Sequence, residues 1–303
     1  MSMRYLAGFV SAFYNPLKNP DAPTIGTATG GTASASVTFT APTNVGGSAI
    51  TGFTVVSTPD GITGTGASSP VTVSGLTVGT AYTFKVFATN SYGPSALSAA
   101  SNSVTPTPVI GSAYAGGFYA GQIGVSGVAT HNLVVGPKAS AFAGTALQWK
   151  IVNTGGDPTS VIDGPANSAT MNSAVYPAAQ FCENLTIGGF SDWYLPAKNE
   201  LEVCYYNLKP TTTVNDTSSG INANAVPARA SNYTTGTPAQ TSAAAFITGT
   251  GAEAFTDQLY WTSSEKSATT GWTQYLGNGN QNYAQPYGKV SAYRVRAIRR
   301  VAV

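Results

Sequence analysis

Between Trp272 and Lys289 the sequence interleaves aromatic rings with amides: Trp272, Tyr275, Asn278, Asn280, Gln281, Asn282, Tyr283, Gln285, Tyr287 and, at the end, Lys289. Amides hydrogen-bond hydroxyl groups, and aromatic faces cover the apolar side of a sugar ring. The stretch therefore has the chemistry of a ligand-binding site for a glycan or an outer surface. The same residues also suit a turn-rich hairpin loop. Neither reading makes or breaks a bond.

The rest of the sequence offers little for catalysis. His131 is the single histidine, so no HExxH zinc site or multi-histidine cluster can form. Cys182 and Cys204 are 22 positions apart and make no CxxC pair. The Gly288-Lys289 step continues into Val290, not Ser or Thr, and no GxSxG elbow occurs. Asp163-Gly164 and Asn215-Asp216 offer oxygen ligands without EF-hand spacing. No catalytic residue, cofactor or metal is expected, and the protein is not expected to be an enzyme.

Such a binding stretch must be held by scaffold, and the composition says what kind. Only 9% of the 303 residues are charged, with a formal net charge of +2. Gly, Ser and Thr fill 103 positions, so hydroxyls and backbone amides provide the solubility. A nucleic-acid partner would call for a basic stripe that is missing. No apolar run reaches the ~20 residues of a bilayer span, so membrane insertion is not expected. Arg4 and the apolar residues after it imitate a signal peptide, but Phe13 and Tyr14 occupy the place of small cleavage-site residues. An N-terminal docking arm and linker over 1–20 is the preferred reading, with prolines at 16, 20 and 23.

From 21 to 107 the pattern is short strands with Gly/Pro/Asn turns: Ala35–Thr40, Ile50–Ser57, Val71–Val73, Ala81–Thr89 and Ser98–Thr105. Val37 and Phe39, then Tyr82, Phe84, Val86 and Ala88, alternate with polar neighbours. Gly75–Tyr82 has the form of a tyrosine corner with Tyr82 as its tyrosine. Together with Gly46–Phe53 and Ala88–Gly93, the segment resembles a bacterial fibronectin type III module, which implies a β-sandwich.

Residues 108–303 hold all four tryptophans and both cysteines. Pro177 can open a helix with Ala178, Phe181, Cys182 and Leu185 on one face. Pro196 precedes a second, with Leu201, Cys204, Tyr205 and Leu208. Residues 211–250 read as a long excursion with a short helix near Ala239–Ile247. Two blocks stand out: Asn184–Pro196, containing Trp193, and Tyr260–Glu265, containing Trp261, with Tyr293–Arg300 closing the chain. These blocks resemble the lectin-like C-terminal domain of bacterial collagen-like adhesins, a C-type-lectin-related fold also met in phage tail proteins. The resemblance implies two helices on a small twisted sheet, ligands bound by loops on one face, and a homotrimer. The expected fold class is mainly β with an α+β C-terminal domain.

Along the last strand, Tyr293, Val295, Ala297, Arg299 and Val301 share one face and Arg294, Arg296, Ile298 and Arg300 the other. Arg299 on the apolar face needs a carboxylate, and Glu200 is the expected partner. Glu200, Arg299, Tyr82, Trp193 and Trp261 are thus read as structural. The cysteines suit either a bridge or two reduced core thiols. The expected function is a phage adhesin in the virion, on a tail fibre or baseplate, assembled in the host cytoplasm. Residues 1–20 would dock to other tail proteins and the tip would bind a host cell-surface glycan or protein. The alternative is a purely structural, decorating virion protein.

Overall fold

The computed structural model describes residues 17–281 and 288–303. The chain divides after Pro108 into two compact units.

The first unit is a two-sheet sandwich. Strands β1 (Thr24–Gly31), β2 (Ser34–Thr40), β3 (Gly52–Thr58), β4 (Thr63–Gly66), β5 (Val71–Ser74), β6 (Thr83–Asn90) and β7 (Gly93–Pro94) form sheets of order β1-β2-β5 and β4-β3-β6-β7. Alternation sends Ala35, Val37 and Phe39 from β2, and Phe84, Val86 and Ala88 from β6, into one core. The expected tyrosine corner is present. Tyr82 Oη accepts the Thr77 N–H at 3.1 Å and donates to Asp60 at 2.7 Å. β1 and β4 are too rich in Gly and Thr to announce themselves as strands.

The expected strand over Ser98–Thr105 is not regular. Ser95, Ser98 and Ser101 instead ride along β6 with a period of three. Each backbone N–H donates to the carbonyl of Ala88, Val86 or Phe84, and each Oγ accepts the N–H of that same residue at 3.0 Å. Hydroxyls thus replace strand carbonyls and satisfy the buried edge. Residues 18–20, expected in the arm, belong to the sandwich: the Lys18 N–H donates to Gly46 O, and Asn90 Nδ2 donates to Lys18 O. Residues 1–16 lie outside the described part.

The second unit is α+β. Its strands are β8 (Ala113–Tyr114), β9 (Gly117–Val125), β10 (Val128–Val135), β11 (Leu147–Gln148), β12 (Ala225–Val226), β13 (Leu259–Ser267), β14 (Thr270–Tyr275), β15 (Ala292–Tyr293) and β16 (Ile298–Ala302). Its helices are α1 (Lys138–Ala141), α2 (Gly164–Thr170), α3 (Pro177–Glu183) and α4 (Lys198–Leu208). The main sheet runs β12-β9-β10-β16, with β8 on β9, while β13–β14 is a separate hairpin. α4 buries the apolar residues expected of it, Leu201, Cys204, Tyr205 and Leu208, whereas α3 buries Ala178 and Cys182 but leaves Phe181 half-buried, as is Leu185 beyond its end. α4 crosses β9 at Gly121, whose φ is +123°; a Cβ there would lie 2.3 Å from the Asn207 side chain.

α2 was not anticipated. Asp163, considered as a calcium ligand, is its N-cap, accepting the Ala166 N–H at 3.3 Å. Asn215 and Asp216, the other such pair, are also occupied internally: Asn215 is buried against Tyr205 Oη at 2.7 Å, and Asp216 accepts from Ser218 and Ser219. The helix expected near Ala239–Ile247 is a single 3-10 turn, Ala244–Phe246.

Candidate binding site on the β13–β14 hairpin

The hairpin carries Trp272 and Tyr275 of the residues singled out for binding, and three buried networks brace the unit around it. First, α4 sends out two carboxylates. Glu200 accepts from Tyr194 Oη (2.6 Å), Arg300 Nε (2.7 Å) and the Ala197 N–H (2.8 Å). Glu202 accepts from Tyr233 Oη at 2.7 Å and Asn222 Nδ2 at 2.5 Å, and pairs with Arg229. This second cluster ties the 211–241 excursion to the helix.

The expected Glu200–Arg299 pair is corrected. Arg299 does lie on the face shared with Val295 and Ala297, but that face packs on Trp193 and α3, whereas α4 covers the Ile298 and Arg300 face. Arg299 therefore pairs with Asp192, Nε to Oδ1 at 2.7 Å, and stacks 3.8 Å above the Phe190 ring. Trp193 and Trp261 are buried, donating their indole N–H to Phe190 O and Leu147 O.

The third network centres on Asp157. Lys150 Nζ lies 2.8 Å and Lys289 Nζ 2.5 Å from its carboxylate, and Tyr176 Oη donates at 2.6 Å. Burial pushes this carboxyl up, but the hydrogen bonds from Lys150, Lys289 and Tyr176 and the Lys289 charge outweigh it and hold it below the ordinary range. Lys289, expected to meet a ligand, is fully buried here, 4.8 Å from the Trp149 ring centroid. It is a lock between the end of the chain and the 150–157 loop.

The segment that follows β14 folds on itself. The Tyr275 N–H donates to Asn280 O at 2.9 Å, the Gly279 N–H to Tyr275 O at 2.7 Å, and the Asn280 N–H to Asn278 Oδ1 at 3.1 Å. Gly279 has φ +81° and lies against the Tyr205 and Tyr233 rings, where a Cβ has no room. Asn278 O accepts the Asp216 N–H, and the Gln281 N–H donates to Ser219 Oγ, so this segment rests on the excursion. Asn282, Tyr283, Gln285 and Tyr287 lie outside the described residues.

Trp272 and Tyr275, three apart on β14, point to opposite faces and line different recesses. Tyr275 lines a cleft of about 490 Å³ with Ala146, Asp257, Gln258, Leu259, Ala292, Tyr293 and Arg294. Arg294 Nη1 donates to Gly144 O at 3.1 Å and its Nε to Gln258. Trp272 and Gln281 line a smaller recess of about 150 Å³ with Lys198, Ser218, Ser219, Gly220, Ile221 and Asn232. The Trp272 ring carries Lys198 Nζ at 4.9 Å and Lys266 Nζ at 4.6 Å, so it holds cations where a sugar-stacking platform was expected. Sequence reading missed Asp257, Arg294, Lys198 and the two serines, because topology alone brings them to the hairpin.

His131 sits on β10 opposite Ala302, its Nδ1 3.1 Å from Thr130 Oγ1, and burial with the Arg300 charge lowers its pKa despite Asp163. No group of three or more metal-ligating side chains occurs among the described residues, nor does a helix long and apolar enough to cross a membrane.

A family model described as the Lcl C-terminal domain matches residues 143–299, just over half the chain, and one described as the fibronectin type III domain matches 21–104. No curated protein matches. Solved structures match over about a third of the chain. The twitchin kinase region from C. elegans is 21% identical over 29% of this chain and 17% of its own, with a TM-score of 0.27. Titin domains A168–A170 are 27% identical over 30% of this chain and 32% of theirs, at 0.26. The fibronectin type III domain of human fibronectin type III domain containing protein 3 is 24% identical, covering 32% of this chain and 95% of that one, at 0.27.

Proposed function

Since the chain belongs to the Lcl C-terminal domain family, we propose that its C-terminal unit is a binding head for a host-surface glycan or protein, with the sandwich as spacer. A fibronectin type III module followed by an Lcl C-terminal domain suggests an extracellular, adhesin-like protein. The observation that carries the binding role is the Tyr275 cleft, where two tyrosines stand beside Asp257, Gln258 and Arg294. Rings for apolar sugar faces and groups for hydroxyls meet there in one recess. The role is binding without a chemical step.

The finer reading sets this head on a phage tail fibre or baseplate, docked through residues 1–20 to other tail proteins. Two unbridged buried cysteines support assembly in a reducing cytoplasm. Copies arranged as a homotrimer would multiply shallow contacts. The test is binding of the labelled full chain to host cells and to their purified surface polysaccharide. Wild-type protein is expected to bind and Tyr275→Ala to lose binding at unchanged thermal stability. Absence of binding, equal binding by the variant, or release of shortened polysaccharide would each overturn the reading.

A further inference from the structure

The smaller recess beside Trp272 has an electrostatic character of its own. Lys198 and Lys266 hold their ammonium groups 4.9 and 4.6 Å from one indole centroid. The described residues include every Asp and Glu of the chain, and neither lysine forms an ion pair with any of them. Glu202 is the carboxylate felt by Lys198, but it is taken up by Arg229, Tyr233 and Asn222. Lys198 is also the first residue of α4, where the helix dipole opposes a cation. Two positive charges are therefore kept close together at a cost to the fold.

The neutral groups point the same way. Gln281 is 95% buried, lines the recess, and its side-chain Nε2 has no hydrogen-bond partner among the described residues. A buried donor left unpaired is costly, so its retention asks for an acceptor that a ligand can supply. Ser218 Oγ spends its hydrogen on Asp216, which leaves its lone pairs to receive a ligand hydroxyl. Asn232, exposed on the rim, offers both a donor and an acceptor.

We propose that this recess binds a monosaccharide bearing a carboxylate, of the hexuronic acid class. The carboxylate meets Lys198 and Gln281 Nε2, the Lys266 charge on the same Trp272 ring adds to the attraction, and the ring hydroxyls meet Ser218 and Asn232. A volume of about 150 Å³ admits one such residue and no more. The proposal deepens the adhesin reading by naming a ligand class for the same hairpin, yet it stands on different residues from the Tyr275 cleft.

The test is ligand-detected NMR on the full chain with galacturonate, galactose, acetate and inorganic sulfate as probes. Galacturonate is expected to bind, galactose and acetate to bind at least about tenfold more weakly, as loss of a charge-assisted bond implies. Lys266 is exposed, so Lys266→Gln leaves the fold intact and is expected to weaken galacturonate by a similar factor. Equal binding of galactose, equal binding of sulfate, or galacturonate binding unchanged in Lys266→Gln would overturn the proposal. If host cells bind through Tyr275 while galacturonate does not bind, this proposal fails and the adhesin reading stands. If galacturonate binds and cells do not, the reverse holds.

Discussion

Glu200 and Arg300 meet at 2.7 Å between the first turn of α4 and the last strand of the sheet, and every contact of the carboxylate is with a donor. Oε1 accepts from both Tyr194 and Arg300, and Oε2 accepts from the Ala197 N–H. The site is acceptor-only. It fixes the helix entry and the strand in one arrangement, which in turn sets where α4 presents Lys198 and Glu202.

A glutamine in that place puts an NH₂ against another donor whichever way the amide turns. Glu200→Gln is expected to destabilise the second unit by about 1–3 kcal/mol. Asp192→Asn breaks a pair whose carboxylate side chain is 56% exposed and should cost less, about 0–1 kcal/mol. Thermal unfolding of both variants checks this; an unchanged melting temperature for Glu200→Gln would show the pair is not structural.

How much of this was legible in the sequence depended on whether an element is held by apolar or by polar groups. α3 and α4 announce themselves because Cys182, Leu201 and Cys204 fall at helical spacing and are all buried. The excursion after α4 does not, since its anchors are hydrophilic: Lys209 Nζ is buried on Thr213 O and Pro238 O, and Asn215 and Asn222 are buried too. Such residues read as loop by composition. The face of Arg299 followed from period two; its partner did not, because both faces of β16 are covered and periodicity is silent on which helix covers which. The hairpin was recognisable as a site, but the burial of Lys289 depends on Asp157, 132 positions away.

The serine ladder gives a graded expectation. Ser98→Ala removes the acceptor for the Val86 N–H, and that bond is buried. The cost should be about 1–3 kcal/mol in chemical denaturation. Ser95→Ala acts at a half-buried position, where water has better access to replace Oγ, and should cost less. Equal, negligible effects would mean the hydroxyls merely decorate an edge held by backbone bonds.

Cys182 and Cys204 are both free, and they belong to different core clusters. Burial pushes both thiols up, so neither supplies a reactive thiolate. Native protein should resist alkylation, and denatured protein without reductant should take up two labels per chain. A single species with no free thiols would show that the two helices are covalently tied.

Acid should destabilise the second unit through the Asp157 network. Its folded carboxyl lies below the ordinary value of 3.8, so its contribution is fully present above that value and is lost as pH falls through the folded pKa. In the unfolded chain the same carboxyl picks up its proton first, and that difference is what drains stability. Protonation would leave Lys150 and Lys289 buried beside a neutral acid. Asp157→Asn is therefore expected to lower the melting temperature at pH 7 and to flatten its decline below about pH 4. If the variant keeps the same acid slope as the wild type, other carboxylates govern it and Asp157 is not the acid-sensitive lock at the turn of the hairpin.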